Sequence, residues 1–207
     1  GLFYCKHKKE WDGILPDSLR ESILCFCLAN VVRDLRGQSK EPRSMLVNMS
    51  RFIHVQKVIT GHVAEWFEEV FNDIRVNFNE DASKNHRLPL YGELHSLWEK
   101  HFSQVNDLTF ARVSQKTTLL AAMEKIEVKM VNGSKQSASL NYKENPSLRV
   151  IAIGGLALSR GLTLEGLIVS YFYRNTATFD VLMQMGRWFG YRRGYEDLFQ
   201  IWTSHTS

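Results

Sequence analysis

At 207 residues and 44% hydrophobic content, the chain has apolar material for one large domain or one and a half, which excludes intrinsic disorder. Its formal charge of +4 and pI near 9.0 permit nucleic-acid binding without demanding it, because many unrelated domains are equally basic. No apolar run approaches the roughly 20 residues that span a bilayer, and the cluster Lys6-His7-Lys8-Lys9-Glu10 lacks the apolar core of a signal peptide.

Cys5, Cys25 and Cys27 are odd in number and suit neither a disulfide nor a zinc knuckle, so they read as reduced thiols of an intracellular protein, in cytoplasm or nucleoid/nucleus. Residues 1–12 form an N-terminal segment, and 13–207 read as a single domain. Pro16-Asp17-Ser18 opens a helix, with Ser18 and Glu21 as a capping box and Gly37 as its C-cap. Apolar residues cover most of its circumference, which predicts burial on several sides. Ser44 to Ser50 then reads as a strand, followed by a long amphipathic helix with Phe52, Val55, Ile59, Val63, Trp66, Val70 and Ile74 at steps of three or four. Residues 77–123 carry a polar loop and two shorter helical patterns, the reading of a helical insertion.

Ile126, Val128 and Met130 alternate with Glu127 and Lys129, as in a strand with one wet face, and Asn132-Gly133 signals a turn. Three short apolar runs follow: Val150 to Ile153, Leu167 to Phe172, and Leu198 to Trp202. A helical spacing, Phe179, Leu182, Met183 and Met185, lies between the last two. Strands alternating with helices imply an α/β fold around a mostly parallel sheet, in which ligands sit beyond the carboxyl ends of the strands. No internal repeat or low-complexity tract is present.

Two motifs in this last third carry chemistry. The first, Ser159-Arg160-Gly161-Leu162-Thr163-Leu164-Glu165-Gly166, offers backbone N–H groups, hydroxyls and a cation at a strand end, suited to a phosphodiester or a nucleotide. Its bland alternative is a turn that uses Gly161 and Gly166 for geometry. The second, Gln184-Met185-Gly186-Arg187-Trp188-Phe189-Gly190-Tyr191-Arg192, places Gln184 on the same helix face as Arg187. Arginine suits γ-phosphate sensing, being permanently charged, planar and able to hold two oxygens at once. Surface salt bridges from these arginines to Glu196 or Asp197 are the competing reading.

The order strand-Gly-Gly-x-x-x-Ser-Arg-Gly-Leu, strand, then helix with Gln-x-Gly-Arg-x-x-x-x-Arg resembles motifs V and VI in the second RecA-like lobe of superfamily-two helicases. More narrowly, LSRGLTLEGLIVSYFYRN and DVLMQMGRWFGYRRGYEDL, with LPDSLRESI, LRG and SMLVNMSRF upstream, are similar to the Z1 domain family, which is described as endonuclease-like and occurs in helicase-like proteins of restriction and DNA repair. The resemblance covers residues 13–203.

It implies a RecA-like fold and places Ser50 and Arg51 at motif IV, with Ser159 and Arg160 also on the nucleic-acid backbone. Gly161, Thr163, Gly186 and Arg193 would line the nucleotide, and Gln184, Arg187 and Arg192 would act on it, with DNA as partner. Thr163 stands where many helicases carry an Asp that contacts ribose, and the second arginine follows the first by five residues where three is usual, so the choice of finger among Arg187, Arg192 and Arg193 stays open.

The sequence has no Gly-rich run ending in Gly-Lys-Ser or Gly-Lys-Thr and no Asp-Glu pair after a strand. ATP and its Mg2+ would therefore be held by an N-terminal ATP-binding lobe, and the chain reads as a piece of a longer protein, not competent to turn over ATP alone. Two rival readings stand beside this one. A metal-dependent endonuclease would use Glu127, Lys129 and Asp107, and a non-catalytic binding module would grip DNA or a partner. Trp66 and Trp98 fall on apolar faces and read as core, leaving Trp188 as a stacking candidate, and the seven histidines show no metal-ligand spacing, so no metal site is expected.

Overall fold

The computed structural model describes residues 14–50, 52–131, 140–154, 164–173 and 194–203. Five strands, β1 (Arg43–Asn48), β2 (Ile126–Met130), β3 (Arg149–Ile153), β4 (Leu167–Phe172) and β5 (Gln200–Thr203), form one sheet in the order β2-β3-β1-β4-β5. Every pairing is parallel. The inner strands β1, β3 and β4 are buried almost throughout, as continuous β-branched and aliphatic runs in a parallel sheet require.

Among the described residues five helices accompany the sheet: α1 (Asp17–Leu35), α2 (Ile53–Asn77), α3 (Pro89–His101), α4 (Phe110–Val113) and α5 (Lys116–Met123). They share one core with the sheet face that presents Met45, Val47, Ile151, Ile153 and Tyr171. The opposite face, with Leu46, Val150, Ala152 and Phe172, packs against Leu140, Leu148, Leu164 and Tyr142.

Helix α1 lies between the sheet and the insertion, touching β4 on one side and α3 and α5 on the other. That placement accounts for its nearly unbroken burial from Leu19 to Arg33 and for the lack of a polar stripe in its sequence. Its expected capping box does not form: no side chain caps the helix, and the Ser18 hydroxyl is instead 2.9 Å from the Tyr171 hydroxyl at the end of β4.

The insertion between α2 and β2 is helical as its sequence suggests, with a 3-10 turn at Ala82–Lys84 ahead of α3. Its centre is aromatic: Trp98 stacks on Phe102 at 5.1 Å, and Tyr91 and Phe110 meet at 5.2 Å. Trp98 is thus a core residue, and Trp66 packs against the same core. Cys25 and Cys27 are buried and free. Burial pushes both thiols up, Cys27 to about 12, so neither is a thiolate near neutral pH.

Candidate functional site

The strand order determines which connections emerge side by side. From β1 the chain runs through α2 and the insertion to β2 at one edge, whereas from β4 it runs to β5 at the other. Adjacent strands whose connections diverge leave a crevice beyond their carboxyl ends. Here that switch point falls between β1 and β4, whose chains leave at Met49-Ser50 and at Tyr173, with Gly154 at the end of β3 on the other flank. Backbone bonds fix the three exits in register, Gly154 donating to Val47 O at 3.1 Å and Tyr173 donating to Asn48 O at 3.0 Å.

Ser50 follows β1 at this switch point but is only 3% exposed. Its hydroxyl accepts from the Phe52 N–H at 3.1 Å, and its carbonyl accepts from the Gln56 side chain at 2.7 Å. These bonds bend the chain from β1 into α2. The start of α2 has no side-chain cap and no acidic residue in its first turn, and Ile53 is 64% exposed there. The positive end of a 25-residue helix therefore lies at the carboxyl ends of the strands with no carboxylate in its own first turn.

Of the site residues that belong to the motor reading, only Ser50 lies among the described residues. Arg51, Ser159, Arg160, Gly161, Thr163, Gln184, Gly186, Arg187, Arg192 and Arg193 lie outside them, as do Trp188, the helical spacing at 179–185 and the Asn132-Gly133 turn. What the fold brings together is the starting points of the segments that carry them, at the neighbouring ends of β3, β1 and β4.

The two carboxylates weighed as salt-bridge partners for the second motif have other partners. Asp197 is held at both oxygens by Arg36, at 2.9 and 2.6 Å. Glu196 accepts the backbone N–H groups of Gly194 at 2.8 Å and Tyr195 at 3.1 Å.

The residues weighed for metal-dependent cleavage are also engaged. Asp107 receives two hydrogen bonds from Arg36, at 2.9 and 2.7 Å, while Glu127 and Lys129 pair with each other at 2.6 Å on edge strand β2. No group of three or more His, Cys, Asp or Glu able to hold a metal ion occurs among the described residues.

The opposite edge of the sheet holds a polar cluster that sequence reasoning did not find. Arg43 and Arg149 open β1 and β3, are fully buried, and converge on Asp34 near the end of α1, each with an oxygen at 2.7 Å. Arg149 grips both oxygens. Arg43 also donates to the carbonyls of Asn30 at 2.7 Å and Gln38 at 2.8 Å, and Arg33 donates to that of Pro42 at 2.9 Å. Burial opposes ionisation of Asp34, but the hydrogen bonds from Arg149 and Arg43 outweigh it and hold the carboxyl below its ordinary range. The available signal was an arginine at the first position of two largely apolar strands.

An all-parallel five-strand sheet with a covering helical layer defines an α/β protein of RecA-like arrangement. The sequence profile of the Z1 domain matches residues 18–207, nearly the whole chain, and the protein belongs to the Z1 domain family. Comparison with curated proteins and with solved structures finds no match.

Proposed function

We propose that this chain is the C-terminal, RecA-like lobe of an ATP-dependent DNA helicase or translocase linked to restriction or DNA repair. The observation that carries the reading is the adjacency of β3, β1 and β4, from whose carboxyl ends the three segments with helicase-like wording set out. In this reading Ser159 and Arg160 hold the phosphodiester backbone, together with Arg51 and the open first turn of α2, and buried Ser50 shapes that turn. Gly161, Thr163, Gly186 and Arg193 line the nucleotide, Gln184 orients it, and Arg187 or Arg192 stabilises the charge that develops on the transferred phosphoryl group. ATP supplies the phosphoanhydride bond, and its magnesium is held by the N-terminal ATP-binding lobe of the same longer protein. The engagement of Asp197 by Arg36 supports an arginine role beyond surface pairing.

The test is DNA-stimulated ATP hydrolysis by the complete protein. Arg187→Ala and Arg192→Ala are prepared separately, and removal of the finger lowers the rate by about three to five orders of magnitude while the melting temperature stays near wild type. Wild-type rates in both variants would refute the finger assignment.

A further inference from the structure

Strand β2 closes one side of the sheet. Among the described residues it pairs with β3 alone, in parallel register from Ile126 opposite Arg149 to Met130 opposite Ile153, so no strand lies along its outer edge. An open strand edge is a template for pairing with another chain. Beside it, between α2 and the helix-facing side of β2, lies a groove of about 320 Å³ that is apolar through Phe67, Phe71, Ile126 and Val128. Its two carboxylates, Glu68 and Glu124, are exposed. Exposure of the apolar side chains grows along the strand: Ile126 is buried, whereas Val128 and Met130 are half-buried.

The side chains of β2 are ordered symmetrically about Val128. Ile126, Val128 and Met130 share the helix side of the strand, and Glu127 and Lys129 share the other. Glu127 and Lys129 meet at 2.6 Å, and both remain partly exposed, at 47% and 32%. Charges on an edge strand commonly keep it from pairing. Here their opposite signs flank one central apolar residue, which favours a single partner, the same strand reversed. When a second copy is laid antiparallel with Val128 opposite its own counterpart, Glu127 falls opposite the partner's Lys129, and Lys129 falls opposite the partner's Glu127. The four charges then alternate in sign around a closed ring, and on the helix side Ile126 stands opposite the partner's Met130. Centring the pair on residue 127 or 129 instead sets two glutamates or two lysines face to face, and like charges directly opposite are destabilising.

We propose that the open edge of β2 is the interface of a two-fold dimer of this chain, with the strand paired antiparallel to a second copy and centred on Val128. Such an interface is isologous, the same surface meeting itself, and it joins the two sheets into one continuous sheet with both helical layers on the same side. The two grooves then open toward each other across the paired valines, which removes apolar surface at Val128 and Phe71 from water. Nothing in this interface depends on the motor reading.

The experiment uses the complete protein in sedimentation velocity over a concentration series, with Glu127→Lys, Lys129→Glu and the double exchange Glu127→Lys/Lys129→Glu. Wild type sediments as a dimer that dissociates on dilution. Each single reversal opposes like charges at two symmetric points and weakens the dimer by about tenfold or more. The double exchange restores association, because opposite signs again meet across the axis. Val128→Cys, treated with a mild oxidant, gives a cross-linked dimer on a non-reducing gel, since directly opposite residues of antiparallel strands lie about 4.5–5.5 Å apart at Cα, within reach of a disulfide. Met130→Cys does not cross-link, because its two copies lie on either side of the axis, beyond the roughly 7 Å that a disulfide can bridge.

A protein that stays monomeric over the whole series overturns the interface. A dimer indifferent to both single reversals puts the contact elsewhere on the surface and overturns it as well. Dissociation by the single reversals without recovery in the double exchange overturns the two-fold register, as does cross-linking through Met130→Cys but not through Val128→Cys. If a charge reversal fails to fold, the conservative Val128→Cys still decides.

Discussion

At the scale of single residues, the strictest requirement falls on Gly166, at the entrance to β4. Its φ of +66 belongs to the left-handed region, and its carbonyl accepts the Ser44 N–H at 2.9 Å, locking β4 beside β1. A Cβ there would overlap the backbone carbonyl of Pro42, which cannot rotate away as a side chain would. Gly166→Ala is expected to cost about 3 kcal/mol, combining backbone strain with overpacking, and to lower the melting temperature by roughly 6–12 °C. Thermal unfolding within a few degrees of wild type would show that the turn relaxes.

Asp34 makes a second residue-scale prediction. Its folded pKa is depressed, so its contribution is fully present above the unfolded value and is lost as pH falls through the folded one. With an unfolded aspartate near ~3.9, the loss begins below about pH 4 and deepens with further acid. Asp34→Asn leaves Arg43 and Arg149 buried without their carboxylate and should cost about 3 kcal/mol at neutral pH. It should also flatten the acid limb of stability against pH, measured by urea unfolding at a series of pH values. An acid limb as steep as in wild type would assign the effect to other carboxylates.

At the scale of elements, hydrophobic pattern located most of the structure and long-range contact decided what it missed. β2 and β4 occupy the residues their apolar runs indicated, Ile126–Met130 and Leu167–Phe172, because a run bounded by turn residues has little room to shift. β5 begins at Gln200 instead of Leu198, since Leu198 belongs to the 3-10 turn held by Arg36 and Gln38 through Asp197 and Gly194. The arginine cluster was illegible because its partners are up to 115 positions apart, and strand order follows from crossovers that no local pattern encodes. Ser50 was legible as a strand-end residue, but not its burial, which depends on Gln56 folding back from α2.

The Ser18 capping box failed for the same reason, its hydroxyl meeting Tyr171 across 153 positions. A double-mutant cycle of Ser18→Ala and Tyr171→Phe should therefore yield a coupling of about 1 kcal/mol in unfolding free energy. A capping hydroxyl would act independently of Tyr171, so additive single effects would contradict the contact.

Across the whole molecule, the two edges of the sheet are chemically different. The amino edge is closed, with Arg33, Arg43 and Arg149 buried and satisfied largely by Asp34 and backbone carbonyls. The carboxyl edge carries the uncapped start of α2 and the exits toward Arg51, Arg160 and the second motif. The cations enclosed for stability at the amino edge are thus distinct from those carried by the segments that leave from the opposite edge.

If the carboxyl edge grips DNA through phosphates, affinity falls linearly in log units with log salt, by about 0.9 per phosphate neutralised on a duplex. Fluorescence anisotropy of the complete protein with a labelled duplex, taken across salt concentrations, gives that slope. Arg160→Ala should reduce it by about one, because one phosphate contact is lost. Asp107→Asn at the amino edge should leave it unchanged, although it removes a negative charge, because Asp107 faces Arg36 and not the nucleic acid. A slope that responds to Asp107→Asn but not to Arg160→Ala would mean that the duplex lies on the other edge of the sheet.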